Sequence, residues 1–258
     1  MLEQLRALWA RRELVRCFAR TDLKLTYQHK ALGFLWSLLD PLMMMAVYTL
    51  LVVLIFKRGE PQFPILLFTS LLAWQWFTYS LSASVTSIAG KAKLIQTVSF
   101  PKAVLPLSRV LIGLIDFLLG LMVLVPLLLL FEAKFTLSWL WLPALILIQF
   151  LFTFGAALIC AVLGVYFRDL QNILQFGLRM WFYLSPALYS IQGTVPPRFI
   201  PIYMLNPFAA LFESYKNVLV RGMPPDGYLL LPAALGLIFC YGGLLLFKAK
   251  ELDFAKEV

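Results

Sequence analysis

Few side chains in this sequence could do chemistry. An arginine and an aspartate, Arg168 and Asp169, stand together in YFRDLQN (166–172) between two almost wholly apolar runs. A second acid, Asp116, lies inside VLIGLIDFLLGLMVL. If that run crosses a membrane, an ionisable group there must face a cavity or a partner. Asp116 is then either a proton relay of a secondary carrier or a satisfied structural acid, paired with Arg109 or Arg179. Cys17, Cys160 and Cys240 have neither disulfide nor metal-ligand spacing, and His29 is the one histidine. No metal site is expected. The sequence also lacks a Ser-His-Asp set, paired carboxylates, H-E-x-x-H, and the G-x-x-x-x-G-K-[ST] loop that cradles nucleotide phosphates. A transport subunit is expected rather than an enzyme, with any energy source on another chain.

The elements that must position these groups follow from composition. The chain is 62% hydrophobic and 14% charged, against roughly 45–50% and 25% for soluble domains. Apolar runs occupy 35–56, 64–87, 104–131, 137–165, 173–189 and 228–247, each close to the ~20 residues that cross a bilayer as helix. None shows the period-2 alternation of an outer-membrane barrel, so the expected class is an all-α membrane protein with six transmembrane helices in one domain, 1–258. The first 34 residues carry seven basic side chains and no apolar core, so no cleavable signal peptide is expected. With the N-terminus inside, fifteen basic residues fall on the inner side and six on the outer, which predicts cytoplasmic termini. The net charge of +9 is thereby a topology and headgroup signal, not a nucleic-acid footprint.

Three segments are neither span nor plain loop. Residues 1–33 put Leu2, Leu5, Leu8, Trp9, Leu14, Val15 and Phe18 on one stripe and arginines elsewhere, the pattern of a helix lying in the membrane interface. Thr21 and Asp22 could cap a second short helix. In GKAKLIQTVSFPK (90–102), Lys91, Lys93, Leu94, Ile95 and Val98 predict a short amphipathic cytoplasmic helix stopped before Pro101. Residues 190–227 hold six prolines and two apolar stretches too short to span. They predict paired short helices dipping in from the outer face about an Asn206-Pro207 turn, or else a hairpin lying on the bilayer. In FGAALICAVLG (154–164), Ala156, Cys160 and Gly164 recur four apart beside Ala157 and Ala161, a small-residue stripe that lets helices approach closely.

Five motifs occur in order along nearly the whole chain: LGFLWSLLDPL (32–42), FPK (100–102), FRDL (167–170), LSPALYS (184–190) and LNPF (205–208). Together they resemble the membrane permease of type-2 ABC exporters for O-antigen, capsule and teichoic-acid polymers. The resemblance implies a homodimer in the bacterial inner membrane with two copies of a separate ATP-binding subunit, which would hold ATP and Mg. It implies that Lys91, Lys93, Leu94, Ile95 and Val98, with Arg168 and Asp169, form the coupling surface, and that 190–227 form outer gate helices. Its conduit is bordered by the first and fifth spans, where Trp181 and Tyr183 lie, and Trp74 and Tyr79 of the second span join them as aromatics on which sugar rings could stack. Exporters of this kind usually carry glycan on a polyprenyl diphosphate, for which Lys30, Arg109 and Arg179 are the cationic candidates. A permease for small lipophiles shares the topology and is the alternative.

Overall fold

The structure, a computed structural model, describes residues 12–27, 35–57, 61–98, 100–133, 136–167, 169–191, 194–251 and 253–254. Every regular element among them is helical. Helix α1 (Arg12–Tyr27) carries Glu13 in its first turn and Lys24 in its last, each opposing the dipole charge at its end. Helix α2 (Leu35–Thr49) contains Pro41 and continues through wider turns over Leu50–Ile55. Helix α3 (Phe63–Val85) begins on Pro64, where a missing N–H costs nothing. Helix α4 (Ala92–Thr97) is the short element expected on the cytoplasmic side, with extended Val98 closing it ahead of Pro101. Helix α5 spans Val104–Leu130, and α6 spans Leu142–Tyr166 after a tight turn over Leu137–Trp141. Helices α7 (Leu170–Tyr183), α8 (Ile200–Tyr203), α9 (Pro207–Lys216) and α10 (Leu230–Lys250) complete the chain.

Four helical stretches among the described residues are long and apolar enough to cross a membrane: Leu35–Ile55, Val104–Leu130, Leu137–Tyr166 and Gly227–Lys250. Helix α3, with 23 residues, has the length, but Gln75 and its serines and threonines dilute its hydropathy. The apolar run 173–189 is helical only as far as Tyr183, because Pro186 lacks an amide hydrogen and disfavours helix at the residue before it.

Helix α3 forms the centre, packed by α2, α5, α6, α7 and α9. Polar side chains staple it in place: Trp76 Nε1 donates to the Val110 carbonyl at 3.1 Å, and Gln149 Nε2 donates to the Ala73 carbonyl at 2.7 Å. Helix α6 lies along α10 at backbone distance, since a Cβ on Gly155 would stand 2.2 Å from the Phe239 carbonyl carbon. The small-residue stripe therefore has two uses. Ala157 and Ala161 are fully buried, while Gly164 meets the Val85 carbonyl at the end of α3. By contrast α2 buries only Pro41, and α7 only Leu178 and Phe182.

Candidate functional site

Two regions gather the functional side chains, one at the end of the bundle where α1 meets α4 and α5 and one within its apolar depth. At the first, Asp22 of α1 is 3% exposed and accepts from two cations on other elements. Lys91 Nζ stands 2.8 Å from one carboxylate oxygen and Arg109 Nη2 stands 3.3 Å from the other. Ser108 Oγ lies 3.5 Å from the same carboxylate, and the Lys91 ammonium sits 4.8 Å from the Phe18 ring. Apolar packing seals the junction, with Val15, Ile95, Phe100 and Val104 buried together. One carboxylate thus ties α1 to the approach of α4 and to the first turns of α5. Nearby, Lys102 donates from both its backbone and its ammonium to Glu251 beyond α10.

This geometry separates the residues expected on a coupling surface. Lys91 and Ile95 turn inward and Leu94 is half-buried, while Lys93 and Val98 are exposed. Asp169 is exposed at the start of α7, and Arg168 lies outside the described residues. Lys30 also lies outside them. Asp22 figured in the sequence only as a helix cap; its pairing with residues far along the chain leaves no local signal.

The second region is a groove of two adjoining cavities, about 560 and 350 Å³, that share Asp40, Gln75, Thr78 and Ser82. Gln75 Nε2 donates to Asp40 Oδ2 at 2.8 Å, joining α2 to α3. Trp36, Tyr79 and Asp116 wall the larger cavity; Tyr48, Arg179 and Tyr183 wall the smaller. Tyr48 and Tyr183 bring their hydroxyls within 3.4 Å across α2 and α7. Arg109 is engaged by Asp22, so of the two arginines considered for Asp116 one is committed elsewhere. Asp40 and Gln75 were legible as polar residues in apolar runs, but nothing local says that they meet.

The aromatics divide in the same way. Trp74 is buried among Phe77, Phe182, Phe208 and Phe212. Trp181 stacks edge-on to Trp74, Phe77 and Phe208 and donates its indole N–H to Asn206 Oδ1 at 2.9 Å. Tyr79 and Tyr183 face the groove, and Trp74, though buried, also lines the smaller cavity.

Asn206 is a hub. Its side-chain oxygen also accepts from Phe208 N and caps α9, while its amide donates to Ser185 Oγ at 2.9 Å. Replacing Asn206 with alanine removes a cap worth about 1 kcal/mol and strands a part-buried indole N–H. The expected result is a fall in thermal stability of the purified protein, with Tyr183→Ala nearly neutral in the same assay. Beyond Asn206 all of α9 is buried, around Glu213 bridged by Lys216 (3.0 Å) and Arg221 (2.8 Å). Burial alone would raise the Glu213 pKa, but Lys216 and Arg221 outweigh it and hold the carboxyl below its ordinary value. The contribution of this cluster is complete at neutral pH and is lost only as pH falls through that lowered value.

Residues 13–220 match the family described as ABC-2 type transporter. The chain belongs to that family. Two curated relatives extend the match almost end to end. The O-antigen export system permease protein RfbA of Klebsiella pneumoniae is 31% identical over 245 residues, covering 95% of this chain and 94% of its own. The protein of the same name from Myxococcus xanthus is 32% identical over 261 residues, covering both chains fully. An ABC-2 permease is a multi-pass membrane subunit of a transporter whose ATP-binding subunit is separate, so this chain is a transport subunit and not an enzyme. The type-2 ABC exporter resemblance read from the five motifs is borne out.

Proposed function

We propose that this ABC-2 permease is the membrane part of an ATP-driven exporter of lipid-linked polysaccharide in the bacterial inner membrane. O-antigen is the leading cargo, with teichoic acid or capsule next. The observation that carries the reading is the groove, polar and aromatic-walled at a depth where a lipid-facing surface would be apolar. The names of the two relatives point the same way. In this reading two copies of the chain work as a homodimer with two ATP-binding subunits, which hold ATP and Mg. Helices α3 and α7 join the four long apolar stretches to make six crossings, with both termini cytoplasmic. The complete burial of α9 supports α8 and α9 as a re-entrant outer gate, because backbone enters at membrane depth only where protein surrounds it.

Coupling runs through the exposed Lys93 and Val98 and through the Arg168–Asp169 turn, while Lys91, Leu94 and Ile95 hold α4 to the body. Tyr79, Tyr183 and Trp74 line the path and Trp181 shapes it from behind. For the carrier diphosphate, Arg179 is favoured over Arg109, whose guanidinium is committed to Asp22, and Lys30 is the third candidate. Replacing Lys93 and Asp169 together by alanine is expected to lower export roughly tenfold, the effect of about 1.4 kcal/mol of interface energy, with membrane level and ATP hydrolysis retained. Unchanged export would remove both residues from the coupling surface.

The test of the whole reading is co-expression with the ATP-binding subunit and an ATPase assay in lipid. A stable complex whose hydrolysis rises with lipid-linked polysaccharide is expected. Stimulation by small lipophiles alone would establish the alternative permease. Transport that survives without the ATPase and is abolished by Asp116→Asn would establish a proton-coupled carrier.

A further inference from the structure

We propose that the larger cavity, between α2, α3 and α5, is a subsite for the sugar chain itself, in which Asp40 and Gln75 hold ring hydroxyls. The proposal rests on the polysaccharide-export reading and adds to it the part of the cargo that this cavity takes. At about 560 Å³ the cavity falls within the roughly 300–1,000 Å³ of small-molecule sites. Gln75, which holds the exposed Asp40 carboxylate, stands near the middle of α3, roughly 15–20 Å from either end. That depth lies within a hydrocarbon layer of ~30 Å, where an exposed carboxylate and amide are costly unless water or a polar ligand meets them.

The side-chain chemistry selects the ligand. An ionised carboxylate offers about four acceptor positions, and Gln75 occupies one on Asp40. The Gln75 amide adds a carbonyl acceptor and a second N–H. A carboxylate clamped beside an amide presents adjacent acceptors and donors, which is what a pair of neighbouring sugar hydroxyls requires. Trp36 and Tyr79 on the same walls supply aromatic surface for the apolar face of a ring. An anion is less favoured here than in the adjoining cavity, since Asp40 stands on this wall and the cation of the groove, Arg179, lines only the smaller cavity. A neutral glycan segment meets none of that repulsion.

The experiment uses the complete complex with its ATP-binding subunit in lipid, and two probes: lipid-linked polysaccharide purified from producing cells, and the sugar-free polyprenyl diphosphate. For Asp40→Asn and Gln75→Leu, the polysaccharide concentration giving half-maximal ATPase stimulation is expected to rise roughly tenfold, the loss of one hydrogen bond to a charged group, with the response to the diphosphate unchanged. Equal weakening of both probes, or of neither, overturns the subsite. A wild-type complex indifferent to polysaccharide overturns the export reading itself and so is distinguishable. A second readout does not depend on the Asp40 and Gln75 variants, and is made on protein whose ATPase stimulation by polysaccharide matches the wild type. With Cys17, Cys160 and Cys240 replaced by alanine, Ser82→Cys should react with a water-soluble maleimide and be protected by polysaccharide. Labelling that polysaccharide does not slow, or that is blocked without it by lipid or a second copy, refutes the proposal.

Discussion

Gly155→Leu is expected to leave almost no folded permease in the membrane. The three atoms nearest a Cβ at this position are all main chain, with the Phe239 carbonyl carbon at 2.2 Å and the Cys240 nitrogen at 2.3 Å. Backbone cannot rotate away as a side-chain tip can, so α6 and α10 must separate along their length. Gly243 makes the arrangement reciprocal, because its own Cβ would lie 2.7 Å from the Gly155 carbonyl oxygen. In lipid, helix association depends on such packing, since tails solvate apolar side chains as well as a neighbouring helix does. Overfilling a packed core costs about 1–3 kcal/mol for added methylenes that can partly relax, and this contact has little room to do so. Gly155→Ala should lower the midpoint of thermal unfolding in detergent, and Gly155→Leu should abolish recovery of the protein. Gly177→Ala is the control: nothing lies within 4 Å of its Cβ, and it should be neutral or slightly stabilising. Normal recovery of Gly155→Leu would mean that α6 and α10 do not approach as described.

Asp22→Ala is expected to give the second largest effect, on stability and on export together. The substitution strands two cations, Lys91 and Arg109, each with about 20% of its side chain exposed. Breaking a buried pair by removing one partner costs about 3–5 kcal/mol, and the lower end applies because both cations retain some access to water. The functional consequence follows from position, since the carboxylate is what holds α1 against the segment that leads into α4. Its loss should reduce polysaccharide export more than it reduces the amount of protein in the membrane. Asp22→Ala combined with Lys91→Met should recover part of the thermal stability, because the second change removes a stranded charge. A double variant no more stable than the single one would show that Lys91 gains nothing from Asp22.

Much of the architecture was legible along the chain. Apolar runs located the long helices, the proline after FPK's phenylalanine set off the short helix α4, and the Asn206-Pro207 pair marked the junction before α9. The motifs were sufficient to indicate the ABC-2 exporter class. The limits were at partners. The stripe of Ala156, Cys160 and Gly164 announced close packing, but Gly155, one residue from it, makes the closest approach to α10, and Gly164 serves α3. Trp181 and Tyr183 read alike as conduit aromatics, yet the first is bound to Asn206 and stacked against α3 while the second faces the groove.

Sequence alone therefore determined the all-helical class, four of the apolar stretches long enough to cross a membrane and the family they form, because each of these is a local property of composition and spacing. Tertiary structure decided which faces meet protein, that Asp22 gathers Lys91 and Arg109, and that Asp40 meets Gln75. The physical reason is the solvent. A soluble helix advertises its buried face by being apolar there, whereas a helix in lipid is apolar all round, so only the packed arrangement distinguishes a face that contacts protein from one that contacts lipid tails.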